Sequence, residues 1–464
     1  MKNLKYFFFL ILPLFAFYGC EDDDGSNPSF GSEDVPHIYV NWQETFAYKL
    51  GQTMRFEPNV SPSDNATYKW TLNGTVISED KDLLYPLNEL LINAPLKFEV
   101  TRNGITNHRQ AEVVVVNDFE PKVINKKAIA FLTGNGSVSD IDWQNISHLI
   151  ISSVVVDVND AGKWVLDDTH VKELDFNLIT TLAHHYGVYV MLEFSGKLSS
   201  YMNAVTAYES YTFYNAAISE AEHEALITAI VAKADNLGVD GINIYMDKST
   251  AENFTDPASL KRFYEKLAAA VPDTKTIDGN DYHYLMSMSL YGGWTRGAQA
   301  GHVNILRYDW LNLIAFAFEN TEPSPHASLW ASTNEAELWM GWQGYVAPSR
   351  IVLAAPAFGL RYFGKPVEYN WGNLWQFTEY MPYKDICAQY PDAPSTDVII
   401  LKENGGDPNV EVNKIYYDGL NSVRQKAEYA LSKDIAGVAL WSVENDSKIQ
   451  SQSLMKKINE SLGN

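Results

Sequence analysis

With 464 residues, 46% hydrophobic and 20% charged, the chain has enough apolar content to fold, which excludes intrinsic disorder, and it is too long for one small core. A net charge of −23 excludes nucleic acid as a partner, because phosphate recognition needs clustered Lys and Arg. With two cysteines and no Cys/His cluster at zinc spacing, neither a disulfide framework nor a metal site is expected, and no motif asks for a cofactor.

The chain opens with Lys2 and Lys5, followed by an apolar run from Tyr6 to Phe17. That run is too short to span a bilayer and fits the core of a signal peptide, residues 1–19. Gly19-Cys20 directly after it resembles a bacterial lipobox, which implies a lipid on Cys20 and a membrane as partner. Glu21-Asp22-Asp23-Asp24 resembles the acidic tag that directs some Gram-negative lipoproteins to the outer cell face, although such a run also serves as a solvated tether. Residues 20–34 are therefore expected to be a lipidated acidic tether and the protein an outer-membrane lipoprotein facing outward.

Residues 35–118 show short alternating apolar runs separated by turn signals such as Asn73-Gly74 and Asn103-Gly104. Asn-Gly between alternating strands predicts hairpins. Tyr68-Lys69-Trp70 followed by Asn73-Gly74 resembles the central strand and turn of immunoglobulin-like sandwiches of the polycystic-kidney-disease (PKD) type. On that resemblance Trp70 is a core residue and the domain is a spacer.

From residue 125 to 464 the rhythm changes to strand, helix, strand. Apolar runs predict strands at Ala128–Leu132, His148–Val156, Val188–Phe194, Gly241–Met246, Leu285–Leu290, Leu311–Phe316, Ile351–Ala355 and Gly437–Trp441. Helical spacing over Thr169–Tyr186 stops at Gly187, a suitable left-handed cap. The capping-box form Ser219-Glu220-Ala221-Glu222 opens a second helix, and Asp256-Pro257 a third. His184-His185 in the first helix is read as surface rather than metal-binding. Eight buried strands alternating with helices predict an α/β fold, a (β/α)8 TIM barrel behind a small all-β domain, with function at the C-terminal ends of the strands.

Several segments at those strand ends resemble glycoside hydrolase family 18, the chitinases and endo-β-N-acetylglucosaminidases. They include Val156-Asp157-Val158-Asn159, Asp309-Trp310-Leu311-Asn312, Ala355-Pro356-Ala357-Phe358-Gly359 and Gly437 to Ser442. The most specific is Asp240-Gly241-Ile242-Asn243-Ile244-Tyr245-Met246-Asp247, in the place of the family's fourth-strand motif Asp-Gly-x-Asp-x-Asp-x-Glu. In the family the terminal Glu protonates the glycosidic oxygen, and the Asp two residues earlier orients the substrate's N-acetyl group as nucleophile. Period two places all three acids on the inner face of one strand.

This chain departs from that pattern at each chemical position. Asn243 replaces the first inner Asp, Tyr245 the orienting Asp, and Asp247 the acid Glu. The Tyr-Asp pair of the family's sixth strand is here Phe316-Ala317. Losing the general acid alone costs about 10²- to 10⁴-fold in rate. The resemblance thus implies a degenerate barrel that binds N-acetylglucosamine-containing glycans, chitin oligomers or N-glycans, with Tyr245, Asn243, Phe316, Trp441 and Glu193 around the ligand and Asp247 in the acid position. Other surface glycan-uptake proteins are further expected partners. Each residue also has a plain reading: Asp247 as a solvated cap, Tyr245 as barrel filler, Trp441 as structural, Glu193 as a polar floor residue. The alternative activity is a weak glycosidase with Asp247 or Glu193 as acid, and a third reading is a structural component of a surface complex. Trp294, Trp330, Trp339, Trp342, Trp371 and Trp375 fall in or near loops after the fifth to seventh strands, where some are expected to line a cleft.

Overall fold

The computed structural model describes residues 35–159, 163–196, 212–246, 257–291, 308–316, 323–341, 346–365, 367–369, 372–374, 379–403, 405, 407 and 410–464. They form two compact units, one of residues up to Phe46 together with Gly51–Val114, the other of Ala47–Leu50 together with Val115–Asn464.

The first unit is strand-rich. A five-stranded sheet runs in the order Thr45–Lys49, Ile105–Val116, Leu91–Arg102, Thr67–Leu72, Thr75–Ser78, accompanied by two smaller strand pairs. Asn73 and Gly74 have φ of 49° and 79°, and Asn103 and Gly104 48° and 83°, the left-handed pair that a tight hairpin requires. Trp70 is fully buried, stacked on Phe98 at 4.2 Å and on Phe56 at 5.4 Å, and its indole N–H donates to the Lys81 carbonyl. It is the core residue that the sequence suggests.

In the second unit eight parallel strands close into a barrel: β1 Lys127–Thr133, β2 His148–Val158, β3 Tyr189–Ser195, β4 Gly241–Met246, β5 Leu285–Tyr291, β6 Trp310–Ile314, β7 Ile351–Pro356 and β8 Gly437–Trp441. Each pairs with the next, and β8 pairs with β1 to close the ring. Their described residues are almost wholly buried, which is why the strands read as continuous apolar runs.

The first barrel helix is shorter than expected, Phe176–His185, because the Asp175 carboxylate accepts the Leu178 amide and caps it there. Gly187 does end it, at φ +67°, where a β-carbon would meet the Glu120 carbonyl at 2.4 Å. The Ser219 capping box does not form: Glu222 accepts from the Trp164 indole instead, and the helix starts at His223. The helix expected at Pro257 forms and runs to Ala270. His184 is not a surface residue; its Nε2 lies 2.9 Å from the buried Asp240 carboxylate.

Between β7 and β8 the chain builds a feature that hydrophobic rhythm does not announce. A four-stranded antiparallel sheet runs in the order Glu379–Pro382, Phe358–Gly364, Val412–Tyr416, Val398–Lys402. One of its faces packs under helix Tyr383–Gln389, where a β-carbon on Gly359 would meet Ile386 and Ile415 at 2.7 and 3.0 Å. The other carries Leu360, Tyr362 and Val412 into the cluster at the barrel mouth.

Candidate functional site

The inner faces of β2 to β6 converge on one buried polar network. Alternate residues point inward, and strand register puts Glu193 beside Asn243 and Asn243 beside Ser287. The Asn243 amide donates to Glu193 Oε2 at 2.7 Å and to Ser289 Oγ at 2.9 Å. Ser287 Oγ donates to Asn243 Oδ1 at 2.7 Å, and Ser152 Oγ to Glu193 Oε1 at 2.5 Å. Asn312 adds longer bonds to Asn243 and Ser289 at 3.3 Å and accepts the Trp310 indole N–H. Every member is at most 4% exposed, so each hydrogen bond offsets a desolvation cost that an unpaired polar group would carry alone.

Glu193 is the carboxyl of this network. Burial pushes its pKa up to about 7, against the pull of hydrogen bonds from Ser152 and Asn243. Both oxygens are engaged and the residue is 1% exposed, so in this geometry it is an interior group rather than one presented to solvent.

One layer nearer the mouth the chemistry changes. Tyr245, level with Ser195 and Ser289, is 3% exposed and joins Ile314, Phe316, Ala327, Ala354, Phe358, Leu360, Tyr362 and Val412 in an apolar cluster. Phe316 stacks on Trp441 with centroids 6.0 Å apart and meets Phe358 edge-on at 5.7 Å. Where the sequence pattern suggests carboxylates and a hydroxyl, these rings fill the space between the strand ends and the inserted sheet.

Of the five residues expected around a ligand, Trp441 alone is partly exposed; Glu193, Asn243, Tyr245 and Phe316 are buried and brought together in two adjoining layers. Trp441 borders a cavity of about 260 Å³ lined also by Thr133, Asn135, Tyr380, Ser442, Glu444 and Asn445. There the Glu444 carboxylate accepts from Thr133 Oγ1 at 2.5 Å and Ser442 Oγ at 2.6 Å, and Asn445 donates to the Tyr380 hydroxyl at 2.9 Å. The cavity thus offers aromatic faces beside amide and hydroxyl groups. Asp247, Ala317 and Cys20 lie outside the described residues, as do Trp294, Trp342, Trp371 and Trp375. Trp339 is buried, whereas Trp330, at the start of helix Leu329–Met340, is 73% exposed.

Sequence reasoning passed over Ser152, Ser287, Ser289 and Asn312. Their signal was present in β5, where Ser287 and Ser289 alternate with Met286 and Met288, the period-two pattern of a polar inner face.

Comparison with known proteins adds the following. The family model described as glycosyl hydrolases family 18 matches residues 127–446, and a PKD-like domain model matches residues 36–90. The probable chitinase 2 of Drosophila melanogaster is 26% identical over 117 residues, a match that spans 21% of this chain and only 24% of that protein's length. Among solved structures, a chitinase from Bacteroides thetaiotaomicron superposes with a TM-score of 0.53 at 18% identity, over 73% of this chain and 96% of the other. The Group IV chitinase of Ostrinia furnacalis in complex with allosamidin gives 0.55 at 16%, over 73% and 99%. The chitinase-like agglutinin of Robinia pseudoacacia gives 0.53 at 17%, over 72% and 99%. At these identities the structural likeness establishes the fold alone.

Proposed function

The chain belongs to glycosyl hydrolases family 18, and on that premise we propose that its barrel binds N-acetylglucosamine-containing glycans, chitin oligomers or N-glycans, and releases little or no product. The observation that carries this reading is the pairing of a filled mouth with an open flank. Tyr245 and Phe316 occupy the strand-4 and strand-6 positions with buried rings, while Trp441 still borders a polar cavity. A ring beside amide and hydroxyl groups suits a pyranose, whose apolar face stacks and whose hydroxyls seek hydrogen bonds. Without a carboxylate at position 245 the charge on an oxazolinium-like intermediate would lack its stabilising partner, and such electrostatic terms are usually the largest in a rate enhancement. The agglutinin among proteins of this fold is in keeping with a binding role.

The same proposal places the protein on the outer cell face, held by lipid on Cys20 through the acidic tether, with the PKD-like domain as spacer and surface glycan-uptake proteins as neighbours. The decisive experiment is a glycan array on the full-length protein, with bound glycans re-examined by mass spectrometry. Binding without product is the expected result. Robust turnover of chitin oligomers or N-glycans, abolished by Asp247→Asn, would overturn it in favour of a glycosidase with Asp247 as acid.

A further inference from the structure

Among the described residues that line the cavity beside Trp441, one side chain carries a charge, and it is an acid. Glu444 is 6% exposed. Its Oε1 accepts from Thr133 Oγ1 and Ser442 Oγ, whereas Oε2 accepts only the Thr133 amide, at a long 3.4 Å. All three donors are neutral, and Glu444 makes no ion pair among the described residues. The Lys384 ammonium donates instead to the Glu444 backbone carbonyl, at 2.6 Å. Other buried acids are differently placed. Asp418 pairs with Lys426, and Asp446 accepts the amides of Ser447, Leu454 and Met455 and the Ser453 hydroxyl. Glu444 thus combines burial, one weakly used oxygen and a place in a cavity wall. Neutral donors offset the desolvation of a carboxylate only in part, so such a group favours a cationic ligand.

The surroundings narrow the kind of cation. A metal ion asks for several hard ligands, and among the described residues no group of three His, Cys, Asp or Glu could hold one. An ammonium is satisfied by one carboxylate and an aromatic face, and Trp441 and Tyr380 border the same cavity. Asn135 and Asn445 add amides suited to sugar hydroxyls, and about 260 Å³ gives room for a single pyranose. Tyr245 and Phe316, by contrast, put buried rings where the sequence pattern suggests the groups that hold an acetamide. We propose that this cavity recognises a deacetylated sugar unit, a glucosamine with a free ammonium within the glycan chain, and that Glu444 is its charge partner. The net charge of −23 adds a long-range attraction for the same cationic chain. This deepens the binding reading above and rests on it.

Partial deacetylation provides the test. The full-length protein is titrated calorimetrically at about pH 6, where amines of this kind are protonated. The ligands are the β-1,4-linked hexamer of N-acetylglucosamine and the same hexamer partly deacetylated. The partly deacetylated hexamer is expected to bind about 10-fold more tightly, the scale of one hydrogen bond to a charged group. Glu444→Gln is expected to bring the two hexamers to equal affinity. Glu444→Asp keeps the charge but withdraws it by one methylene, and should lower the preference without removing it. Thermal unfolding of each variant checks the fold, and the Asp variant carries the test should the Gln variant not fold. Equal affinity of the two hexamers for the unmodified protein overturns the amine site while leaving glycan binding intact. A preference that Glu444→Gln or Glu444→Asp leaves undiminished belongs to the general negative charge and overturns it too. Absence of binding by either hexamer overturns both.

Discussion

Asn243 donates its amide to the Glu193 carboxyl across 2.7 Å in the buried interior of the barrel, so the acidic group stands on β3 and a neutral partner on β4. Burial raises the Glu193 pKa to about 7 from 4.5, and the hydrogen bonds from neutral Ser152 and Asn243 only partly oppose that rise. The sign of the linkage follows. Below about 4.5 both folded and unfolded chains hold the proton and the full stability is present. Between about 4.5 and about 7 the unfolded chain releases it first, and stability falls, by an amount on the order of 3 kcal/mol. Asp446, raised by burial to about 6, and Asp418, also raised by burial, contribute slopes of the same sign. The difference between wild type and Glu193→Gln isolates Glu193. Buried His148 and His326, whose pKa values burial lowers, contribute slopes of the opposite sign. The quantity to read by denaturant unfolding is therefore the difference in stability between wild type and Glu193→Gln from pH 4.5 to 8, which should fall as pH rises. A pH-independent difference would show that Glu193 contributes no slope.

Returning an acid to β4 should be costly by itself. In Asn243→Asp a second carboxyl would face Glu193 at hydrogen-bond distance, where two like charges cannot both be ionised and the pair must share a proton. Stability at pH 8 should drop by about 3 kcal/mol, and much less at pH 5, where a proton is available. Combining it with Glu193→Gln should recover most of the loss. A double-mutant cycle with zero coupling energy would show that the two side chains do not share their site as described.

The eight barrel strands were legible because both of their faces are buried and most of their residues are apolar, and the runs at Ile351 to Ala355 and Gly437 to Trp441 announce themselves. The Asn-Gly hairpins were legible because a left-handed turn has few chemical solutions. The inserted sheet was not. Val398–Lys402 reads as an apolar run but ends with Ile400, Leu401 and Lys402 exposed, and Phe358 and Leu360 owe their burial to packing on the distant Tyr245 and Phe316. The site was legible in composition but not in arrangement. The motif positions gave Asn243, Tyr245 and Phe316, yet nothing local said that Tyr245 would pack against rings of an insertion more than a hundred residues away, or that Glu193 would be Asn243's partner.

Membrane attachment should depend on one residue. Cys20→Ala is expected to move the protein from the membrane fraction to the soluble fraction, since acyl chains contribute about 0.8 kcal/mol per buried CH₂ and among the described residues no helix is long and apolar enough to cross a membrane. Fractionation with a blot against the chain reads the outcome. Unchanged membrane retention of Cys20→Ala would end the lipoprotein proposal.

Restoring the orienting acid alone should damage the barrel before it helps the chemistry. Tyr245 is 3% exposed within a cluster of Ile314, Phe316, Phe358 and Leu360, so Tyr245→Asp removes a buried ring and sets a carboxyl among apolar groups. Cavity and desolvation together should cost about 3 kcal/mol or more, visible as a large fall in Tm. Turnover should not appear, because the residue that orients the N-acetyl group and the acid act as one unit and such groups are strongly non-additive. Phe316→Tyr brings a hydroxyl to a fully buried position that stacks on Trp441, and it too should yield no product by itself. The full set Tyr245→Asp, Asp247→Glu, Phe316→Tyr and Ala317→Asp is the smallest change expected to give measurable hydrolysis of chitin oligomers by mass spectrometry. Product released by Tyr245→Asp alone, at unchanged Tm, would mean that the mouth is open and the acid already competent, and the binding-only reading would fall.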